Sequence, residues 1–418
     1  MKFYGWKLLA GISLIYFLAV GTTFYGVGVV LPPMIKEFGW SRTEASLGFA
    51  ILTVAYGMSG PIVAILIRRI GVRLTMVIGG FITFGGGMLT YYTQSLQQFY
   101  IGVGIFMGLG MGMQTVIPAT LLVTNWFVRR RSMAMGILMA AGGVGALMAA
   151  PMSMLIESTG EWRFIWIVMG GAALIASFIA ALVVKANPSD IGQYPDGVPP
   201  LLNGNGEYEA RRQAVYQTPI DWGFKMALGN ASFWYIIIAS TIAVLGTTII
   251  NSQLVLHLTD IGLSPLLAGS ALGLQGFMGA LGRLTSGGLG DKCDPKKILA
   301  LGLLGESIGV FLLSNATSSV WVYISVLTFG LFFGLTVVAT STLIANFYGI
   351  RSNASLMAIR GMVVTLFAAS GPITAAYIAD LTGSYNLAFY VYTVLAGLAS
   401  LLILTMPLPK IADKELKL

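Results

Sequence analysis

ANPSDIGQYPDGVPPLLNGNGEYEARRQAVYQTPIDWGF, residues 186–224, is the one long polar stretch in the chain and decides how the rest is divided. Its prolines at 188, 195, 199 and 200 exclude a continuous helix, and Asn203-Gly204-Asn205-Gly206 is turn-forming sequence, so the stretch reads as a linker. Six long apolar runs precede it, near 8–31, 44–66, 74–93, 98–123, 132–155 and 163–185. Six more follow, near 230–256, 264–289, 298–314, 318–346, 353–378 and 386–407. A helix needs roughly 20 residues to cross about 30 Å of hydrocarbon, and each run comes close to that length. The expected plan is an all-α membrane protein of twelve transmembrane helices. It places a six-helix bundle over 1–185, a linker over 186–224 and a second six-helix bundle over 225–418.

Composition agrees. The 418 residues are 56% hydrophobic and 10% charged, with mean hydropathy +0.83. A soluble chain would need a very large core to hide that surface, whereas a bilayer lets apolar side chains face lipid. Lys2 and Lys7 precede a first run that continues to about Leu31, which is span length, so no cleavable signal is read. The net charge of +8 does not point to nucleic acid, because the basic residues sit in short loops between apolar runs. Cys293 and His257 are the sole cysteine and histidine. They exclude an intramolecular disulfide, a multi-cysteine metal site and a histidine cluster. No metal, cofactor or enzymatic activity is expected.

Orientation follows from lysine and arginine. With the N-terminus inside, 19 of the 24 basic residues fall on inner segments, including Arg68, Arg69 and Arg73, Arg129 to Arg131, and Lys292, Lys296 and Lys297. Cytoplasmic loops carry such an excess, so both termini are predicted to be cytoplasmic and the protein to lie in the inner membrane. The halves also echo one another. Asn125-Trp126-Phe127 leads to Arg129 before span five, as Asn346-Phe347-Tyr348 leads to Arg351 before span eleven. Ala150-Pro151 and Ser158-Thr159-Gly160 answer Gly371-Pro372 and Leu381-Thr382-Gly383. Two such halves around a central site are the plan of an alternating-access transporter.

Four passages carry a family resemblance. They are Phe38-Gly39-Trp40-Ser41-Arg42-Thr43-Glu44 after span one, and Trp126 to Gly136 leading into Gly142-Gly143 and Gly145 at span five. Gly282-Arg283-Leu284 through Gly288-Leu289-Gly290-Asp291-Lys292 lies at span eight, and Asp380-Leu381-Thr382-Gly383-Ser384-Tyr385 follows span eleven. The chain resembles the major facilitator superfamily and, within it, the monocarboxylate-transporter branch and its bacterial relatives. The resemblance implies a small carboxylate substrate and protons as partners, with a substrate-binding arginine in span eight at Arg283. It also implies an acid one turn before that arginine and a lysine in span one. This chain has Gly279 at the first position and no lysine in span one beyond Lys7.

Arg283 is the leading site residue on physical grounds as well. An arginine inside a span costs about 2.5–3.5 kcal/mol at the helix centre on insertion scales, so it faces a cavity and a partner. Its planar fork suits a carboxylate; snorkelling to the surface or pairing with a structural acid is the alternative. Softer substrate-binding candidates are Tyr25, Gln114, Asn251 and Gln275, with Gln253 and Thr336 beside them. Two proton-coupling candidates stand out: His257, which titrates near neutrality, and Glu306, the acid well inside a span. Packing and structural hydrogen bonding are the plainer readings of both. Arg360 is read either as a second anion site or as an interface residue. Asp291, facing Arg129 and Arg130, is expected to latch the cytoplasmic side.

Gly104, Gly108 and Gly112 recur every four residues and read as close helix packing, not as a nucleotide loop. Asn315-Ala316-Thr317 is read as an unused glycosylation sequon. The expected function is proton-linked symport of a small monocarboxylate such as lactate, carried by a monomer. An organic-anion or dicarboxylate exchanger is the alternative, and a non-transporting membrane sensor is a third class.

Overall fold

The computed structural model describes residues 3–128, 130–197, 218, 222–289, 293–349 and 353–409. Among these residues every regular element is a helix. Helix α1 is Gly5–Phe38. A Ser41–Glu44 capping box opens Arg42–Met58, which bends by 47° into Gly60–Tyr91. That second helix is broken at Gly71 (φ 84°, ψ 160°). The chain has come back by Tyr100, whose hydroxyl donates to Glu44 O at 3.0 Å. The pair is therefore two crossings, α2 over 42–70 and α3 over 72–91. The rest of the first half is α4 (Leu96–Trp126), α5 (Met133–Thr159) and α6 (Arg163–Val183).

The second half is α7 (Ala231–Asp260), α8 (Pro265–Leu289), α9 (Pro295–Ser314), α10 (Ser319–Tyr348), α11 (Ser355–Thr382) and α12 (Asn386–Thr405). Nine of the helices among the described residues are long and apolar enough to cross a membrane, and the bent pair makes a tenth. Helix α8 is less apolar, but its 25 residues span about 37 Å at 1.5 Å per residue.

The repeat read in the sequence has a structural counterpart. Asn125 Nδ2 donates to Ala186 O, and Trp126 Nε1 to Lys185 O, holding the start of the linker on the first half. In the second half Asn346 O accepts from Thr218 N, and Tyr348 O from Trp222 N. Each copy thus anchors one end of the 186–224 segment. Gly160 (φ 71°) and Gly383 (φ 73°) also correspond, each ending its helix in the left-handed region, which favours glycine. The threonine before each donates to the carbonyl four residues back.

The two halves meet through α1 with α7, α2 with α11 and α5 with α8. At the end where α1 finishes and α2 begins, called the far end below, a single apolar core draws on both halves. Tyr25, Phe49, Trp166, Leu272, Phe329 and Phe389 belong to it. At the opposite end, which carries the basic loops, each half keeps its own core. One is built around Trp126 and Leu138, the other around Phe233 and Tyr348. The halves are fused at the far end and separately packed at the basic end.

Candidate functional site

Arg283 lies on α8 about 9 Å before its last residue. It is half-buried and crosses between the halves: Nη1 donates to Met139 O of α5 at 3.2 Å. The guanidinium also stands 5.7 Å from the Phe333 ring of α10. It interacts electrostatically with the hydroxyls of Tyr16 and Tyr25 on α1 and Tyr56 on α2. Among the described residues no carboxylate pairs with it. A cation from one half therefore lies within electrostatic range of three phenols from the other. Tyr16 and Tyr25, nine residues apart, would face opposite sides of an unbroken α-helix. The π-helical stretch Phe17–Gly21 between them alters that register.

The other sequence candidates divide. Asn251 and Gln275 are each 1% exposed, and neither side-chain amide has a hydrogen-bond partner. Both sit where the halves touch: a Cβ on Gly28 of α1 would overlap Asn251 O, and one on Gly276 would press on Tyr25. Gln114 turns elsewhere, donating to Ala173 O and Ser177 Oγ of α6 at 3.0 and 3.1 Å. Glu306 is fully buried within the second half, accepting from Tyr392 Oη at 2.6 Å and Thr336 Oγ1 at 2.9 Å. His257 is 4% exposed, edge-on to Tyr385 and Phe389. Arg360 donates from Nε to Ser240 Oγ of α7 at 3.1 Å. Arg130 stands over the Trp6 ring. Asp291 and Arg129 lie outside the described residues.

A second group emerges at the far end that sequence reasoning does not single out. Arg42 Nη2 pairs with Asp260 Oδ2 of α7 at 2.7 Å, and its guanidinium lies over the Tyr385 ring at 5.7 Å. Asp380 of α11 accepts from Arg42 N, from Thr43 N and from Thr43 Oγ1 at 3.2, 2.9 and 2.6 Å. Beneath this rim, buried Gln253 of α7, one of the softer sequence candidates, donates instead to Ser46 Oγ of α2 at 2.8 Å and to Pro372 O of α11. These bonds form a two-tiered clasp between the halves. It closes the far end over the Arg283 group.

Comparison with known proteins accords with this architecture. The sequence matches the Major Facilitator Superfamily profile over residues 12–257 and 236–417. It is 21% identical over 437 residues to monocarboxylate transporter 12-B of Danio rerio, covering 99% of this chain and 89% of that one. Monocarboxylate transporter 12 of Rattus norvegicus is 23% identical over 408 residues, covering 92% and 82%. Human monocarboxylate transporter 1 is 28% identical over 190 residues, covering 44% and 37%. Among solved structures, a bacterial homologue of the human lysosomal transporter Spinster, in an inward-facing and occupied conformation, superposes with TM-score 0.70. The two are 16% identical over 97% of each chain. The chain belongs to the Major Facilitator Superfamily, and these curated relatives within it are monocarboxylate transporters.

Proposed function

We propose that this protein carries a small monocarboxylate, of lactate size, together with a proton across the inner membrane by alternating access between its two halves. The observation that carries this reading is Arg283: a half-buried cation between the halves with no acid partner among the described residues, within electrostatic range of three tyrosine hydroxyls. A carboxylate bound there accepts from the guanidinium while Tyr16, Tyr25 or Tyr56 donates to it or to a neighbouring oxygen. Asn251 and Gln275, with unmet hydrogen bonds deeper in the interface, supply polar contacts once the halves part.

Residues 1–185 and 225–418 move as the two halves, joined by the 186–224 linker, and the protein works as a monomer. With the basic loops cytoplasmic, the clasp faces outward and holds the inward-accessible state. We assign the transported proton to Glu306 in preference to His257. The Thr336 hydroxyl shares its one proton between Glu306 and Phe333 O, and the Phe333 ring stands 5.7 Å from the Arg283 guanidinium. His257 instead packs under the clasp beside Tyr385. Uptake of labelled L-lactate into proteoliposomes, with and without an inward proton gradient, tests the scheme. Symport predicts concentrative uptake driven by the gradient alone. Uptake that needs substrate on both sides and ignores the gradient would replace it with anion exchange.

A further inference from the structure

Glu306 of α9 is fully buried, and hydroxyls from two neighbouring helices meet its carboxylate. Thr336 of α10 donates to Oε1 at 2.9 Å, and Tyr392 of α12 donates to Oε2 at 2.6 Å. Two glycines seat those side chains. A Cβ on Gly302, one turn before Glu306, would overlap the Thr336 methyl, and one on Gly246 of α7 would overlap the Tyr392 hydroxyl. Thr336 is thus held in one rotamer with its oxygen towards Glu306, and only its hydrogen is free to turn. That oxygen has two acceptors in reach: Glu306 Oε1 and, at 2.8 Å, Phe333 O of its own helix. Tyr392 differs, since among the described residues its hydroxyl donates to Glu306 alone. No cation pairs with Glu306 among the described residues. Tyr392 is the titratable group that faces it, and Arg283 stands beyond the Phe333 ring.

A buried acid that takes up a proton turns an acceptor into a donor, and a buried donor without an acceptor is costly. Here the change is met. While Glu306 is charged, its two oxygens accept from Thr336 and Tyr392. When a proton adds to Oε1, the new O–H donates to Thr336 Oγ1 and the Thr336 hydrogen turns to Phe333 O, while Tyr392 still donates to Oε2. The Phe333 carbonyl has a second lone pair for it beside its helical bond. A proton on Oε2 would leave the Tyr392 hydrogen without an acceptor, so the proton belongs on the Thr336 side. We propose that Thr336 is the positioning residue of the proton site, a hydroxyl whose turn keeps every donor around Glu306 matched in both protonation states. The turn also places a hydrogen bond on the backbone of Phe333, whose ring stands 5.7 Å from the Arg283 guanidinium. That this proton travels with the substrate rests on the transport reading above.

The test uses the full chain in lipid, followed by infrared difference spectroscopy as the pH is varied. The protonated-carboxyl C=O band that Glu306→Gln removes belongs to Glu306, and in the wild type it should titrate. Thr336→Val keeps the side-chain shape and loses the hydroxyl; Thr336→Ala is the second hydroxyl-free variant. In both, the band should move to the position of an acid whose O–H has no acceptor. It should also persist to about tenfold lower proton concentration, because a hydrogen bond to the charged form is worth more than one to the neutral form. Gradient-driven accumulation of lactate should be lost in the same variants. Thr336→Ser, which keeps the hydroxyl, should restore band position, titration and accumulation. A wild-type Glu306 band that does not titrate, or one whose position and titration are unchanged in folded Thr336→Val or Thr336→Ala, overturns the proposal. The expected band shifts in a protein whose lactate uptake ignores the proton gradient would keep the Thr336 switch and overturn the symport reading instead.

Discussion

The Asp380 carboxylate accepts the backbone N–H of Thr43 at 2.9 Å, so an acid on α11 closes the N-terminus of α2 in the opposite half. Its other oxygen accepts from Arg42 N. The first amides of a helix have no partner within it, and the helix dipole favours negative charge there. The far end is therefore sealed by a helix terminus as well as by the Arg42–Asp260 ion pair. Losing the charge weakens that seal without removing a packed side chain.

Asp380→Asn should shift the protein towards its far-end-open form. A carboxylate at a helix N-terminus is worth about 0.3–1 kcal/mol, so the population ratio should change by up to about fivefold. Labelling of a thiol introduced at Ser46, beneath the rim, in a Cys293→Ser background reads this directly. Unchanged accessibility would show that the clasp does not control closure.

Glu306→Gln separates two roles of one residue. The amide oxygen keeps an acceptor for Tyr392, and Thr336 can turn its proton to Phe333 O and accept one amide hydrogen, but the second buried N–H is left unmatched, a cost of about 1–3 kcal/mol. Thermal unfolding should occur earlier as a result. If Glu306 carries the proton, gradient-driven accumulation of lactate should vanish while lactate–lactate exchange persists. Accumulation at the wild-type level would remove Glu306 from coupling and leave it a structural acceptor.

Close approach of α1 and α5 is set by two glycines, since a Cβ on Gly21 would overlap Gly145. Gly21→Ala must push these helices apart, and overpacking of this kind costs about 1–3 kcal/mol. A fall in melting temperature, with weaker transport because Tyr16 and Tyr25 flank this contact, is the expected outcome. Wild-type stability would mean that the helices separate freely here.

The apolar helices are legible in the sequence because a bilayer demands long apolar stretches. Arg283 is legible because charge is rare inside a span. The clasp is not. Arg42 lies 218 residues from Asp260 and 338 from Asp380, and charges at loop edges look solvated until the halves are brought together. Tyr16 and Tyr56 escape notice because a tyrosine in an apolar run looks like packing, and the π-helical stretch of α1 leaves no trace in hydropathy. Gln114 shows the converse. Its place in span four suggests the cavity, but nothing in one helix tells which face meets α6, and there its amide nitrogen is satisfied.

The most direct test of the central claim is L-lactate uptake into proteoliposomes by wild type, Arg283→Lys and Arg283→Gln, each matched for folded protein. A lone ammonium cannot reproduce the bidentate fork. If Arg283 binds the substrate carboxylate, the lysine variant should lose about tenfold or more in uptake at low substrate, given about 1.5–3 kcal/mol for a hydrogen bond to a charged group. The glutamine variant should retain almost none. Wild-type uptake by a well-folded Arg283→Gln protein would contradict the account.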